Sequence, residues 1–112
     1  MSGARSDMAR FDVYRNTGTL AAEVPYLVVV QADLLDALDT RVVVPLRRRD
    51  RFSTVKVPHR LMPVIELEGV ACLLEVPKLA AVPARMLRDK VCSVADHQAD
   101  ITAALDFVFQ GF

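Results

Sequence analysis

Two histidines and two cysteines are the side chains best suited to nucleophilic, acid–base or metal chemistry, and their spacing assembles no such site. His59 follows Pro58 at the start of a strand-like run and has no partner that spacing identifies. His97 falls near the start of a helical run, on its apolar side, where an imidazole packs in a core or interface with its nitrogens hydrogen-bonded. Neither histidine sits in a pattern of nucleophile, base and orienting group, and no pair of carboxylates is spaced to share a bond. Cys72 and Cys92 lack the short paired spacing of a zinc site or a CxxC motif, so free thiols are expected and no metal. The four glycines are dispersed and form no phosphate-cradling loop, so no cofactor is expected. The chemistry of the sequence is that of a binding or assembly module, not an enzyme.

The densest charged feature is Arg47, Arg48, Arg49 and Arg51 around Asp50. Such a run reads as a solvated loop or hairpin tip, or as a docking site for acidic residues, because guanidinium groups pair bidentately with carboxylates. Over the whole chain fourteen basic and fourteen acidic residues cancel to a formal net charge of zero. A balanced chain lacks the basic surface that non-specific nucleic-acid binding needs for counterion release.

The elements that must position these groups follow from hydrophobic pattern. Phe11, Val13 and Tyr14 begin a strand, and a polar loop leads to Pro25. Residues 26–31 form an apolar, largely β-branched run without helical period, as in a buried central strand. Residues 32–40 have loop composition except for the adjacent Leu34 and Leu35, which cannot both face inward from an extended loop. Residues 41–46 make another valine-rich strand, in which Pro45 suggests an edge or a bulge because proline cannot donate to a ladder. Residues 59–67 and 70–76 flank Glu68 and Gly69, a hairpin turn with glycine at positive φ. Alternation sets Cys72, Leu74 and Val76 on one face of the second arm, so Cys72 is a packing residue. Short strands or turns occupy residues 79–92.

A helix is predicted from Val94 onward, with Ser93 as N-cap and Asp96 three places on. Val94, His97, Ile101, Ala104, Leu105, Val108 and Phe112 share its packing face, whereas Ala99, Thr102, Asp106 and Gln110 point outward. The helical end is therefore expected to be exposed to a partner. Strands followed by a helix predict an antiparallel, barrel-like sheet with a C-terminal helix, an α+β or mostly β fold. At 112 residues one domain is expected, with residues 1–9 as a disordered extension and residues 10–112 as the folded unit. The apolar runs are too short to cross a bilayer as helices and the N-terminus lacks a leader pattern, so a soluble, cytoplasmic protein is expected.

Several stretches in order resemble the CcdB family, the toxin half of a bacterial type II toxin–antitoxin pair. They are Phe11, Val13 and Tyr14; residues 30–36; residues 42–46; residues 61–64; Ala81, Val82 and Pro83; and Asp100, residues 101–109 and Gly111. No single motif carries the resemblance, which spans residues 10–112 through order and spacing. It implies a homodimer with an SH3-like antiparallel barrel, a small extra sheet and a C-terminal helix. It also implies a poison that inserts into the gyrase A dimer of DNA gyrase and traps the gyrase–DNA cleavage complex. A CcdA-like antitoxin would neutralise the toxin and join it in repressing their operon, so that operator DNA is met only through the antitoxin.

Residue by residue, the family's gyrase-contacting isoleucine pair falls on Leu34 and Leu35. Its helical asparagine falls on Asp106, its phenylalanine on Phe109, and its final Trp-Gly-Ile on Gln110, Gly111 and Phe112. Phe109 and Gly111 match, and Asp106 and Gln110 depart from the pattern. An alternative is a CcdB-like dimer that binds antitoxin but has lost or changed its target, on account of Gln110. A MazF-like endoribonuclease on the same barrel is a further alternative, although no acid–base pair for RNA cleavage is visible.

Overall fold

The valine-rich runs at residues 26–30 and 42–46 pack on both sides, which explains why neither alternates cleanly between apolar and polar. Side chains along a strand point alternately to the two faces of a sheet. Tyr26, Val28, Val30, Val44 and Leu46 accordingly enter one cluster, and Val29 and Val43 enter another. A computed structural model describes residues 8–35, 37–51 and 58–111.

They form the strands β1 (Asp12–Arg15), β2 (Tyr26–Val29), β3 (Thr40–Arg48), β4 (Val64–Leu67), β5 (Val70–Leu74), β6 (Ala80–Pro83) and β7 (Lys90–Ser93), followed by the helix α1 (Gln98–Gln110). All pairings are antiparallel, in the order β4-β5-β3-β2-β1-β7, with β6 branching from β3. The sheet curls into a half-barrel, and the fold is mainly β with one C-terminal helix, as expected from strands first and a helix last. The small extra sheet expected from the family resemblance does not form as a separate sheet among the described residues; β6 belongs to the same seven-stranded sheet as a branch from β3.

Strand β3 organises the branch. Its whole central stretch pairs with β2, whereas its other edge is shared, residues 40–43 pairing with β6 and residues 46–48 with β5. Pro45 therefore lies in a central strand, contrary to the edge or bulge expected of it. Its carbonyl accepts from Glu75 N–H at 2.9 Å, so its proton-less nitrogen faces the gap where β6 has ended and β5 has not begun. The irregularity in register occurs instead between Val13 and Tyr14, against β7.

The larger cluster joins the sheet to α1 through Ile101 and Ala104, with Leu105 and Val108 packed at its margin. Helix formation begins later than the sequence suggests. A 3-10 turn (Ala95–His97) precedes α1, and Ser93 is the N-cap of neither, since Val94 and His97 hold those positions; its hydroxyl accepts from Ala95 N–H at 3.2 Å. The strand expected from residue 59 begins only at Val64, because residues 58–62 form a turn whose Leu61 and Met62 N–H groups both bond the Pro58 carbonyl. Met8, placed by sequence in a disordered extension, packs against the second cluster beside Tyr14, Val29, Val43 and Leu87, and Ala9 N–H bonds the Asp12 carboxylate. Residues 1–7 of that extension lie outside the described residues.

The β4–β5 turn has Glu68 at φ 51° and Gly69 at φ 78°, two successive left-handed residues as a tight hairpin requires. Glycine takes this conformation without penalty, whereas a residue with a Cβ is disfavoured there by about 1 kcal/mol. Glu68 is held there by its carboxylate. Arg15 donates to both of its oxygens, at 3.2 and 2.9 Å, and the Tyr26 hydroxyl donates at 2.5 Å. Arg15 also pairs with Asp89 at 3.2 Å, so this clasp ties the hairpin to β1, β2 and the approach to β7. Hydrogen bonds from Arg15 and then Tyr26 hold the Glu68 carboxyl below its ordinary range. Burial, then the bond to Glu68, pushes the Tyr26 hydroxyl up to about 12.

These shifts fix the pH dependence of the clasp. The depressed Glu68 contributes stability above its unfolded value that is lost as pH falls through the folded one. The raised Tyr26 contributes below about 10, the unfolded value, and loses its contribution as pH rises from there to about 12. Urea midpoints measured from pH 2 to 12 should show both limbs. Tyr26→Phe should flatten the alkaline limb and Glu68→Gln the acid limb, and parallel profiles for wild type and both variants would exclude the clasp as their origin.

Candidate functional site

The last turn of α1 ends where a left-handed residue stops the helix. Gly111 adopts φ 82°, and its N–H bonds the Phe107 carbonyl at 2.8 Å, which closes the last turn as a C-terminal cap does. The apolar stripe of α1 faces the core, so residues off the stripe are delivered to solvent. Asp106, Gln110 and Gly111 are exposed, and Phe109 is 72% exposed, the highest value among the large apolar side chains described as exposed. Asp106 lies near the helix C-terminus, whose last turn contains no basic residue, so this tip is electronegative. Phe112 lies outside the described residues.

The leucine pair sits after β2, where residues Asp33–Leu35 form one 3-10 turn. Leu35 is 45% exposed, in keeping with the argument that two neighbouring leucines cannot both turn inward; the Leu34 side chain lies outside the described residues. Sequence reasoning missed two exposed neighbours of this turn. Leu38 is 52% exposed and its N–H bonds the Leu35 carbonyl at 3.1 Å. Met86 is 54% exposed on a turn tied to the same loop by Ala84 N–H to the Asp39 carbonyl at 2.8 Å. Buried Arg41 holds the loop from beneath by donating to the Leu38 and Thr40 carbonyls. The helix tip and the leucine turn are thus separate elements, each presenting apolar surface to solvent.

The arginine cluster is not the uniform loop or tip that its composition suggests. Arg47 and Arg48 belong to β3, and only Arg49–Arg51 form a turn. The Arg47 guanidinium is mostly buried between Glu75, at 3.1 Å, and Glu23, at 3.0 Å. Glu75 is itself buried and takes a second contact from Lys78 at 3.7 Å, so Arg47 is held in a structural network. Arg48 binds Asp50 through two bonds at 3.1 and 3.0 Å, which hold the Asp50 carboxyl below its usual range. Arg49 and Arg51 are exposed and, among the described residues, make no ion pair. Arg48, Arg49 and Asp50 line an open depression whose other wall is Gly69, Val70 and Ala71 of the β4–β5 hairpin.

His59 and Asp100, which sequence spacing did not connect, share a shallow cleft with Arg60, Pro63, Val64 and Ala103. Arg60 is drawn over the Phe107 ring, 4.8 Å from its centroid. Cys72 is buried and Cys92 half-buried, both are free thiols, and burial pushes both upward in pKa, which lowers the thiolate fraction. No group of three or more metal-ligating side chains occurs among the described residues, nor any helix long and apolar enough to cross a membrane.

The arrangement offers exposed apolar groups on a turn and a helix end, with a basic depression beside the hairpin, which is equipment for contact with macromolecules. A family model described as CcdB protein matches residues 10–111, the stretch that contains the curled sheet, the leucine turn and the helix end. The chain therefore belongs to the CcdB family, the toxins of toxin–antitoxin pairs.

Proposed function

We propose that this protein poisons DNA gyrase by contact, binding the gyrase A dimer through the leucine turn and the tip of α1 and trapping the cleaved DNA complex. The observation that carries the reading is Phe109, which leaves most of a large ring in water at the end of a capped helix. An aromatic side chain in that position supplies the rigid apolar area of a binding hot spot. Leu34, Leu35, Asp106, Phe109, Gln110, Gly111 and Phe112 form the proposed gyrase-binding set, with no covalent chemistry and no catalytic residue in the toxin. A homodimer acting in the cytoplasm completes this reading.

Gln110 and Asp106 favour a second reading, a dimer that has kept its antitoxin and changed its target. A planar amide buries less apolar area than the indole of the family pattern, and Asp106 adds a charge where that pattern has a neutral amide. Induced expression beside the cognate gyrase, with binding of a purified gyrase A fragment, separates the two. Gyrase poisoning predicts growth arrest and binding by the wild type, weakened about 30-fold by Phe109→Ala, as expected for a hot-spot aromatic. A changed target predicts normal growth and no binding by the wild type, with binding restored by Gln110→Trp. Folded wild-type protein that binds no gyrase, with or without Gln110→Trp, would remove the proposal.

We further propose that an acidic stretch of a CcdA-like antitoxin docks on the arginine cluster, and that it represses the operon as a complex with the toxin. Arg49 and Arg51 are the charges available for this contact, with Arg48 at its margin, because Arg47 is committed to Glu75 and Glu23. Arg49→Ala with Arg51→Ala should slow association and flatten its salt dependence while leaving the melting temperature near that of the wild type. Arg47→Ala should instead lower the melting temperature, since it strands the buried Glu75 carboxylate. Salt-dependent association unchanged by loss of Arg49 and Arg51 would place the antitoxin elsewhere.

A further inference from the structure

The β2–β3 connection carries its own internal brace. Regular pairing between the strands ends at Val29 and Val43, and one further backbone bond, Val30 N–H to the Val42 carbonyl at 3.0 Å, extends it. Beyond that point the side chain of Gln31 replaces the missing strand partner. Its Oε1 accepts from Val42 N–H at 3.0 Å, and its Nε2 donates to both the Thr40 and the Leu35 carbonyls at 3.2 Å. The Val42 N–H fixes which end of the amide is which, because the reverse orientation would oppose two donors. One carboxamide thus ties both sides of the loop and the end of the leucine turn together.

A second anchor holds the start of that turn. Arg10 N–H donates to the Asp33 carboxylate at 2.7 Å, and the Arg10 side chain donates from Nε to the Val30 carbonyl at 3.0 Å. The Arg10 guanidinium rests over the Phe11 ring, 4.7 Å from its centroid. Phe11, buried and at φ 74°, is fixed by bonds from its N–H to Val29 and from Val94 N–H to its carbonyl. The turn that exposes Leu35 is therefore tied to the sheet at both ends, by Asp33 and by the Leu35 carbonyl.

We propose that Gln31 is a positioning residue that holds the Asp33–Leu35 turn in one shape, so that its leucine surface is preorganised for a partner. The inference rests on the gyrase-contact reading for its consequence, though not for the geometry. Glutamine is specific to the task, since three backbone groups of mixed character need one acceptor and two donors on the same side chain. A carboxylate would keep the bond from Val42 and set negative charge against two carbonyl oxygens. An aliphatic residue would supply none of the three. Ordering the turn before binding removes an entropic cost that would otherwise weaken the complex.

Amide hydrogen exchange of the free protein tests the device directly. Gln31→Ala and Gln31→Glu should each lower the protection of the Leu35 and Leu38 amides about tenfold, as loss of more than one hydrogen bond predicts. Unchanged protection at Leu35 and Leu38 would overturn the proposal. Binding of the gyrase A fragment is measured in parallel. Where the wild type binds, both variants should stay folded and bind about tenfold more weakly, and equal affinity would overturn the preorganisation. Where the wild type does not bind, the gyrase reading falls, and the exchange data still decide whether Gln31 holds the turn.

Discussion

A single carboxylate ties together distant strands of this curled sheet. Glu68 sits on the β4–β5 turn, in a backbone conformation that disfavours a side chain, and receives Arg15 and Tyr26 from strands that are 53 and 42 residues away in sequence. Without that attachment, the hairpin would keep its ladder to β3 and the core packing of Ile65, Leu67, Cys72 and Leu74, but its turn would have no polar tie to β1 and β2. With it, the turn is fixed to β1 and β2 as well, beside the core that Ile101 and Ala104 of α1 complete. The β3–β5 register, with Arg48 opposite Cys72, continues past the ladder to set Ala71, Val70 and Gly69 beside Arg49 and Asp50, so the basic depression is a product of that pairing. An exposed ion pair contributes little by itself. This one acts through geometry, because its three donors come from elements that no local interaction would align.

Burial on both faces is the second consequence of the topology. One helix covers only one face of a sheet, yet Tyr14, Val29 and Val43 on the other face are also buried. They are covered by Leu87 and by the half-buried Met8, Leu27 and Val82, contributed by the chain before β1, by β2 itself and by the β6 branch and its continuation. The split edge of β3 makes this possible. Ending β6 at the level of Val43 and starting β5 at Leu46 lets one strand belong to two local layers, with Pro45 at the joint where a missing N–H leaves no donor unpaired.

What the sequence made legible was the local part. The positive-φ turn at Gly69, the buried Cys72, the central strand from Tyr26 and the packing stripe through Ile101, Ala104, Leu105 and Val108 all follow from period or from the stereochemistry of single residues. The errors share a different origin. Pro45 looked like an edge because its rule concerns donors, and only the pairing of distant strands shows where a donor is dispensable. Arg47 looked solvated because Glu23 and Glu75 lie 24 and 28 residues away. Gln31 looked like the end of a strand, whereas its function as a brace depends on Val42, 11 residues on. For the exposed groups of the candidate site, composition raised the leucine pair and helix phase the tip, while Leu38 and Met86 required the loop to be folded against the β6 turn.

The two candidate contact regions differ in sign as well as in shape, and this bears on how one small surface could serve two partners. The helix tip combines the exposed Phe109 ring with Asp106 and with carbonyl groups of a last turn that lacks basic residues, so its field repels an acidic segment. The depression beside the hairpin offers Arg49, with Arg51 on the same turn, neither in an ion pair among the described residues, and attracts an acidic segment. A largely apolar contact at the tip draws its strength from desolvation, which ionic strength changes little, whereas a guanidinium contact weakens as salt screens it. A disordered acidic partner would therefore be steered first to the arginines, whatever surface it later covers, and a folded target would be selected by shape at the leucine turn and the tip. On the proposed reading, neutralisation and poisoning begin at different places on the molecule for a simple electrostatic reason, despite a net charge of zero over the chain.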